Sequence, residues 1–154
     1  MKKAFLAFGV AGVLTYCVPT MPTKAIDTNT EITYSTEAET RATGLIYQYY
    51  LGVSASNGDL IVSGYTRSSN TMKSIGYKDL VVERSKDGVN WSDDTEIGDK
   101  LTSSATSYYL NDYSVSVDGG YYYRVSGKHY AKESGLFGSS QSIDNTSNVV
   151  YISW

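Results

Sequence analysis

The amino-acid sequence predicts an all-β fold, an antiparallel β-sandwich of about seven strands behind a signal peptide and a flexible polar leader. From Gly44 onward, apolar and aromatic residues alternate with polar ones, which is the two-residue period of a half-buried strand. These segments recur at intervals of about ten residues, and the turns between them are rich in glycine, asparagine and aspartate. No long segment has the spacing of an amphipathic helix.

Residues 1–25 are interpreted as a secretory signal peptide. A short basic head precedes the uninterrupted apolar run of residues 4–14, and a small-residue cleavage motif ends at Ala25. The run is too short to span a bilayer, which requires about 20 residues. We therefore expect a secreted, extracellular protein that has no integral membrane segment after cleavage before Ile26.

A lipoprotein signal is the alternative, since Cys17 follows a segment that resembles a lipobox. A lipobox requires a small residue before the cysteine, whereas this chain has the bulky Tyr16. Because Cys17 is the only cysteine, the mature chain has no disulfide and must be stabilised by a packed core. Its roughly 130 residues suffice for one domain.

Charge excludes some classes of partner. From Ile26 onward the chain has ten basic and sixteen acidic residues, which gives a net charge of −6. An acidic protein repels phosphate backbones and anionic headgroups, so neither nucleic acid nor an anionic lipid surface is an expected partner.

Residues 26–43, rich in threonine and glutamate, are predicted to be a flexible leader, and the sandwich domain is predicted to span residues 44–154. The first strand should place Leu45, Tyr47, Tyr49, Leu51 and Val53 on one face. An Asn-Gly pair at positions 57 and 58 predicts a tight hairpin turn into a return strand over residues 60–66.

The rest of the chain divides in the same way. Within the strand predicted over residues 77–84, Leu80 and Val82 should share one face. Further strands are predicted over residues 91–97, 108–117 (one bent or two short), 121–130 and 149–154. Polar loops are predicted over residues 67–76 and 132–148, and turns over residues 85–88 and 118–120.

The strand over residues 121–130 carries the candidate binding residues. If Tyr121, Tyr123 and Val125 face the core, the opposite face presents an alternating set that includes Tyr122, Arg124 and Tyr130. Exposed tyrosine and arginine are enriched at binding surfaces. Alternatively, these side chains pair across strands and stabilise the sheet by about 0.2–1 kcal/mol per pair.

No residue pattern predicts a catalytic, cofactor or metal site. His129 is the only histidine, which is too few for a multi-histidine zinc site, and we expect it at the surface near a strand end. The sequence has no Gly-x-Ser-x-Gly elbow to support a catalytic triad. The acidic residues of segment 91–99 lack the ordered spacing of a calcium loop, and we expect a solvated loop there.

Several segments resemble known families. Residues 77–85, followed by 87–91, resemble the third strand and next turn of a fibronectin type III-like module, and residues 121–125 resemble its sixth strand. Residues 85–91 also nearly match the Asp-box of sialidase propellers, but the motif occurs once and is one residue short, so a hairpin turn is favoured, with Trp91 over the end of the sandwich.

The full layout is similar to a family of small secreted proteins of Gram-positive bacteria, a domain of unknown function. The similarity lies in the signal, the leader and the segments at residues 41–46, 128–132 and 143–148. This resemblance implies a fibronectin type III-like or immunoglobulin-like sandwich and no particular activity.

These observations favour a protein that is not an enzyme and needs no cofactor, and that acts in binding or interaction at the bacterial cell envelope or outside the cell. Its expected partners are a cell-wall polymer, a carbohydrate or another protein. Two alternatives stay open, namely a small secreted hydrolase that uses paired carboxylates and an oligomerising toxin-like or matrix protein.

Overall fold

The computed structural model describes residues 44–154, which form eight antiparallel strands and no helix. The predicted all-β sandwich is therefore confirmed, with eight strands instead of about seven. The signal peptide, Cys17 and the leader lie outside the described residues. The strands are β1 (Ile46–Ser56), β2 (Asp59–Met72), β3 (Ser74–Ser85), β4 (Ser92–Thr102), β5 (Ala105–Ser116), β6 (Tyr121–Lys132), β7 (Ser140–Thr146) and β8 (Val150–Ile152).

Two sheets pack face to face. The first has the strand order β1-β2-β5, and the second has the order β4-β3-β6-β7, with β8 also paired to β6. β7 pairs with residues 126–132 of β6, and β8 pairs with residues 121–123, so the two short strands follow one another along the same edge. The connections β2–β3, β4–β5 and β5–β6 each pass from one sheet to the other. Within the described residues, no helix is long and apolar enough to cross a membrane.

The first hairpin confirms the predicted Asn-Gly turn. Asn57 and Gly58 have φ angles of 52° and 86°, both in the left-handed region that a type I′ turn requires. The two-residue turn sets the register of β1 against β2, in which Ser56 pairs with Asp59 and Tyr50 pairs with Tyr65.

The core lies between the sheets and contains the four residues for which the alternation is clearest. Leu80, Val82, Tyr123 and Val125 are fully buried, as their positions in the alternation predict. Leu51, Val53, Leu60, Val62, Leu110, Val115, Val150 and Ile152 complete this cluster with Tyr77. Burying each large apolar side chain contributes about 1.5–3 kcal/mol, which stabilises a domain without disulfides.

Tyr47 does not face the core, contrary to the prediction for the first strand. The register shifts between Ile46 and Gln48, so Ile46 is buried while Tyr47 is exposed. A bulge of this kind reverses the face on which later residues lie, and simple alternation cannot anticipate it.

The prediction of two long polar loops is wrong. β2 continues to Met72 and β3 begins at Ser74, so only Lys73 separates them within the predicted loop of residues 67–76. The predicted loop of residues 132–148 contains β7. The first segment contributes Met72 and Ile75 to a second buried cluster, so its polar composition does not mark a loop. β7 lies at the edge of its sheet, where pairing with β6 does not need apolar side chains.

Candidate binding surfaces

The outer face of β6 holds all three predicted binding residues. Tyr122, Arg124 and Tyr130 are partly buried, and they alternate with the buried Tyr123 and Val125. We call this surface the β6 face, defined by Tyr122, Arg124, Ser126, Lys128 and Tyr130. The structure thus places the three residues on one surface, as the alternation predicts, although this placement alone does not test whether they bind anything.

Arg124 is the centre of a cluster on the β6 face. Its Nε donates a short hydrogen bond to Glu83, which lies opposite on β3, and Ser126 Oγ donates to the same carboxylate at 2.9 Å. The Arg124 guanidinium lies 4.2 Å from the centre of the Trp91 ring. Trp91 therefore packs on Arg124 of the β6 face.

The two tyrosines of the β6 face also have neighbours. The ring of Tyr122 lies 4.9 Å from that of Tyr151 on β8, and the Lys78 ammonium lies 4.4 Å from the centre of the Tyr130 ring. These contacts match the cross-strand pairing that was the alternative to binding. They also hold flat aromatic area at defined positions on the sheet.

His129 is fully buried, so the prediction of a surface histidine is wrong. Its ring lies between those of Tyr49 and Tyr77, with centres 4.7 Å from each. It faces the core because it shares the parity of Tyr123 and Val125 on β6.

Hydrogen bonds define the protonation of this histidine. The Thr66 hydroxyl donates to the Gly76 carbonyl at 3.0 Å, so His129 Nδ1 carries a hydrogen and donates to Thr66 at 2.7 Å. His129 Nε2 then accepts from the Asn145 side-chain amide at 3.1 Å. The ring is neutral, because burial lowers the pKa of His129 to about 3.

The family-like segments at residues 128–132 and 143–148 meet around the core. Besides the Asn145 contact, Ser147 Oγ accepts a hydrogen bond from the Val125 N–H at 2.9 Å. The side chain of Asn148 accepts from the Val53 N–H at 2.9 Å and donates to the Val53 carbonyl at 2.8 Å. These residues therefore fasten β1 and β6 to the β7–β8 segment, which is a structural role.

The turn that resembles an Asp-box is an ordinary, internally satisfied turn. Asp87 Oδ1 accepts from the backbone N–H groups of Val89 and Asn90 at 2.9 Å and 2.8 Å, and from Ser85 Oγ at 2.9 Å. These bonds, those from Asn90 foremost, hold the pKa of Asp87 well below its usual range. The predicted hairpin turn is confirmed.

The acidic segment forms strand β4, which confirms the strand predicted over residues 91–97 and corrects the expectation of a solvated loop. Asp94 forms an ion pair with Arg84 at 3.0 Å, and Asp99 accepts a hydrogen bond from the Asp79 N–H at 3.1 Å. Within residues 44–154, no group of three or more histidine, cysteine, aspartate or glutamate residues is arranged to hold a metal ion. Acidic side chains along β4 suit an edge strand, since charge discourages pairing with other chains.

Two open clefts lie on the second sheet. One, of about 480 Å³, is lined by Asp79, Lys128 and Asp144, among others. The ion pair between Lys128 Nζ and Asp79, 2.9 Å apart, raises the pKa of the lysine and lowers that of the aspartate. The other, of about 430 Å³, surrounds the Asp87 turn. Both are lined mainly by polar side chains.

The first sheet carries an aromatic surface that the sequence analysis missed. Tyr50, Tyr65 and Tyr109 lie opposite one another on β1, β2 and β5, and we call them the tyrosine row. Two signals in the sequence could have predicted the tyrosine row. The alternation of β1 places Tyr50 away from the core, and the two-residue turn then brings Tyr65 opposite Tyr50.

No family model matches the chain, and no curated protein or solved structure shows significant similarity to it. The resemblance to a Gram-positive secreted family therefore stays a prediction.

Proposed function

We propose that this protein is a secreted, non-catalytic binding domain that acts at the bacterial cell envelope or outside the cell. The observation that carries the proposal is the β6 face, where Tyr122, Arg124 and Tyr130 lie in one line on a strand inside the second sheet. Side chains fixed on a strand lose little conformational entropy when a ligand binds, and tyrosine combines flat apolar area with a hydroxyl group.

The fold type that fits this proposal is a fibronectin type III-like or immunoglobulin-like sandwich. A three-stranded sheet, β1-β2-β5, faces the sheet β4-β3-β6-β7, and three connections cross between them. In addition, the Tyr123 hydroxyl near the start of β6 donates to the Asp118 carbonyl, five residues upstream, at 2.8 Å. This contact is similar to the tyrosine corner of Greek-key sandwiches, an architecture that many cell-surface domains use.

The shape and chemistry of the β6 face favour an extended ligand. Tyr130 lies eight positions beyond Tyr122, which corresponds to about 26 Å along a strand. Arg124 lies between them and presents a planar fork suited to carboxylates on peptides or wall polymers. Its described hydrogen bond to Glu83 uses Nε, and a guanidinium has further N–H groups for a ligand.

The environment of His129 supports a non-catalytic role. A general base must reach the proton that it removes, and it works best with a pKa near the operating pH. His129 is buried, both its ring nitrogens have partners, and its pKa is about 3. We infer that the one histidine of the chain contributes to stability and not to chemistry.

Retention on purified cell-wall sacculi tests the binding proposal. We expect the parent protein to be retained and a Tyr122→Ala, Tyr130→Ala double variant to lose at least about tenfold in affinity, because aromatic anchors dominate binding energy. A Leu136→Ala, Phe137→Ala variant is the matched control, since it also removes two large exposed side chains, but from the β6–β7 loop. Failure of the parent to bind, or equal retention of the Tyr122/Tyr130 variant and the parent, contradicts the proposal.

A further inference from the structure

We propose that the tyrosine row and Arg67 form a second binding site, on the opposite side of the sandwich from the β6 face, and that this site takes an uncharged polysaccharide chain. The site is built from β1, β2 and β5, and it shares no residue with the β6 face. The inference is therefore independent of the function proposed above.

The row is a continuous aromatic surface across three adjacent strands. The ring centres of Tyr50 and Tyr65 are 5.9 Å apart, and those of Tyr65 and Tyr109 are 6.2 Å apart. Tyr109 is 46% exposed on β5, and the nearby Tyr47 on β1 is 42% exposed. The planes of neighbouring rings are tilted by 37° and 49°, so the row crosses the strands as three adjacent, differently inclined aromatic rings.

Arg67 fixes the row in place. Its guanidinium lies 4.9 Å from the centre of the Tyr65 ring and 5.4 Å from that of Tyr109. Nε and Nη2 donate to the Tyr109 hydroxyl at 3.0 Å and 2.7 Å, and Nη1 donates to Gln48 at 2.9 Å. The hydrogen bond with Tyr109 is the main cause that raises the pKa of Arg67. The aromatic surface is thus organised before a ligand arrives, which reduces the entropy lost on binding.

The backbone beneath the row is shaped for it. A Cβ atom added at Gly52 would lie 2.0 Å from the Tyr50 hydroxyl oxygen, so only glycine leaves room for the Tyr50 ring to lie along β1. The Tyr50 side chain therefore extends along β1 over Gly52.

The chemistry around the row fits a sugar chain better than a charged ligand. Its neighbours across the strands are neutral and polar, such as Gln48 and Ser107, which flank Arg67 in the register. The acidic residues of this sheet, Asp59 and Asp112, are hydrogen-bonded to Ser114 and Ser63. A sugar ring has an apolar C–H face, which stacks on tyrosine, and a rim of hydroxyl groups, which the amide, the hydroxyls and Arg67 can bind.

A second copy of the chain is a poorer occupant of this surface. The buried core of a homodimer interface is more apolar than the rest of a protein surface. The exposed large aliphatic residues that the structure describes lie elsewhere, with Val89 in the turn before β4, Leu101 on β4 and Leu136 in the β6–β7 loop. The row offers tyrosine, serine and glutamine, a composition typical of wet and polar recognition surfaces.

Pull-down on insoluble polysaccharides tests the proposal. The protein, purified from full-length expression, is mixed with amorphous cellulose, with chitin and with the anionic polymer polygalacturonate. We expect retention on cellulose or chitin, and a loss of at least about tenfold in affinity for a Tyr50→Ala, Tyr109→Ala variant. A Leu136→Ala, Phe137→Ala variant is the matched control, since it removes two large exposed side chains outside both proposed sites, and we expect it to bind these polymers like the parent.

Folding is checked by thermal unfolding and near-UV circular dichroism. If the double variant does not fold, Tyr109→Ala alone replaces it, because Tyr109 is exposed on β5, an edge strand of its sheet. A Tyr109→Phe variant keeps the ring but removes the hydroxyl that accepts from Arg67, and we expect it to retain most of the binding.

Four results overturn the proposal. The first is that the parent is not retained on cellulose or chitin, and the second is that the Tyr50/Tyr109 variant is retained as well as the parent. The third is retention that depends on the row but occurs on polygalacturonate alone. The fourth is that the parent sediments as a dimer and the Tyr50/Tyr109 variant sediments as a monomer.

The experiments distinguish failure of one proposed site from failure of the other. Loss of sacculus retention in the Tyr50/Tyr109 variant, without loss in the Tyr122/Tyr130 variant, contradicts the β6-face proposal and leaves the row proposal standing.

Discussion

At the scale of single residues, His129 shows how a polar side chain can be part of the core. Burying a polar group without a partner is costly, but Thr66 and Asn145 satisfy both nitrogens of this ring. Within the described part of the chain, every buried side-chain nitrogen and oxygen atom has a hydrogen-bond partner. The interior therefore tolerates histidine and tyrosine where aliphatic residues are usual.

The burial of His129 makes the stability of the domain depend on pH. In the unfolded chain the pKa of histidine is about 6.5, whereas burial lowers it to about 3 in the folded protein. Between these values the unfolded state binds the proton and the folded state does not, so the free energy of unfolding falls as the pH falls below about 6.5. The contribution of His129 is fully present above pH 7.

We expect urea unfolding to show this loss between pH 7 and pH 5. His129 alone should lower the free energy of unfolding by up to about 2 kcal/mol over this range. A His129→Gln variant should be less stable at pH 7, because glutamine does not reproduce both hydrogen bonds, and it should lack this part of the pH dependence. An unchanged pH dependence in the variant would mean that other groups cause the loss.

At the scale of elements, side-chain amides take the place of strand pairing along β1. β1 is an edge strand that pairs only with β2. On its other side, Asn148 bonds both backbone groups of Val53, and the side chain of Gln141 accepts from the Ile46 N–H at 2.9 Å. These contacts tie the first sheet to the β7–β8 segment of the second, and they cover part of an edge that would otherwise be open to other chains.

The Asn148 contact is open to a direct test. We expect Asn148→Ala to lower the free energy of unfolding by about 1–3 kcal/mol, because it leaves two backbone groups of Val53 without these partners. Asn111→Ala, at an exposed position on β5, is the matched control and should change stability by less than about 0.5 kcal/mol. Equal effects of the two substitutions in chemical denaturation would show that the hydrogen bonds between Asn148 and Val53 do not contribute to stability.

At the scale of the whole molecule, the two outer surfaces of the sandwich differ in chemistry. The second sheet carries ion pairs such as Arg124–Glu83 and Lys128–Asp79, whereas the tyrosine row of the first sheet is mainly neutral. A domain with two unlike surfaces can bind two unlike ligands at once, and tethering two sites raises the overall affinity for a surface that displays both ligands.

Export of the protein is a prediction at the same scale. The basic head, the short apolar run and the small residue at position 25 lead us to expect cleavage before Ile26. Intact-mass measurement of protein recovered from the culture medium should place the N-terminus within a few residues of Ile26. Retention of the whole chain inside the cell, or a lipid-modified N-terminus at Cys17, would contradict this.

By itself, the sequence determined the all-β fold class, most of the strands, the faces of the clearest strands and the register of one hairpin. Alternation placed Tyr123 and Val125 in the core, and the Asn-Gly turn was enough to pair Tyr50 with Tyr65, because these signals depend only on residues close together in the chain.

Only the tertiary structure decided which strands lie opposite one another and which polar residues are buried. β7 has no apolar alternation to reveal it, and it is a strand because β6 supplies its hydrogen bonds. His129 lies on the inward face of β6, and it can stay buried there because Thr66 and Asn145, 63 and 16 residues away in the chain, satisfy its ring. Contacts between distant segments leave no periodic signal in the sequence, so residue type alone led to the wrong expectation of a surface histidine.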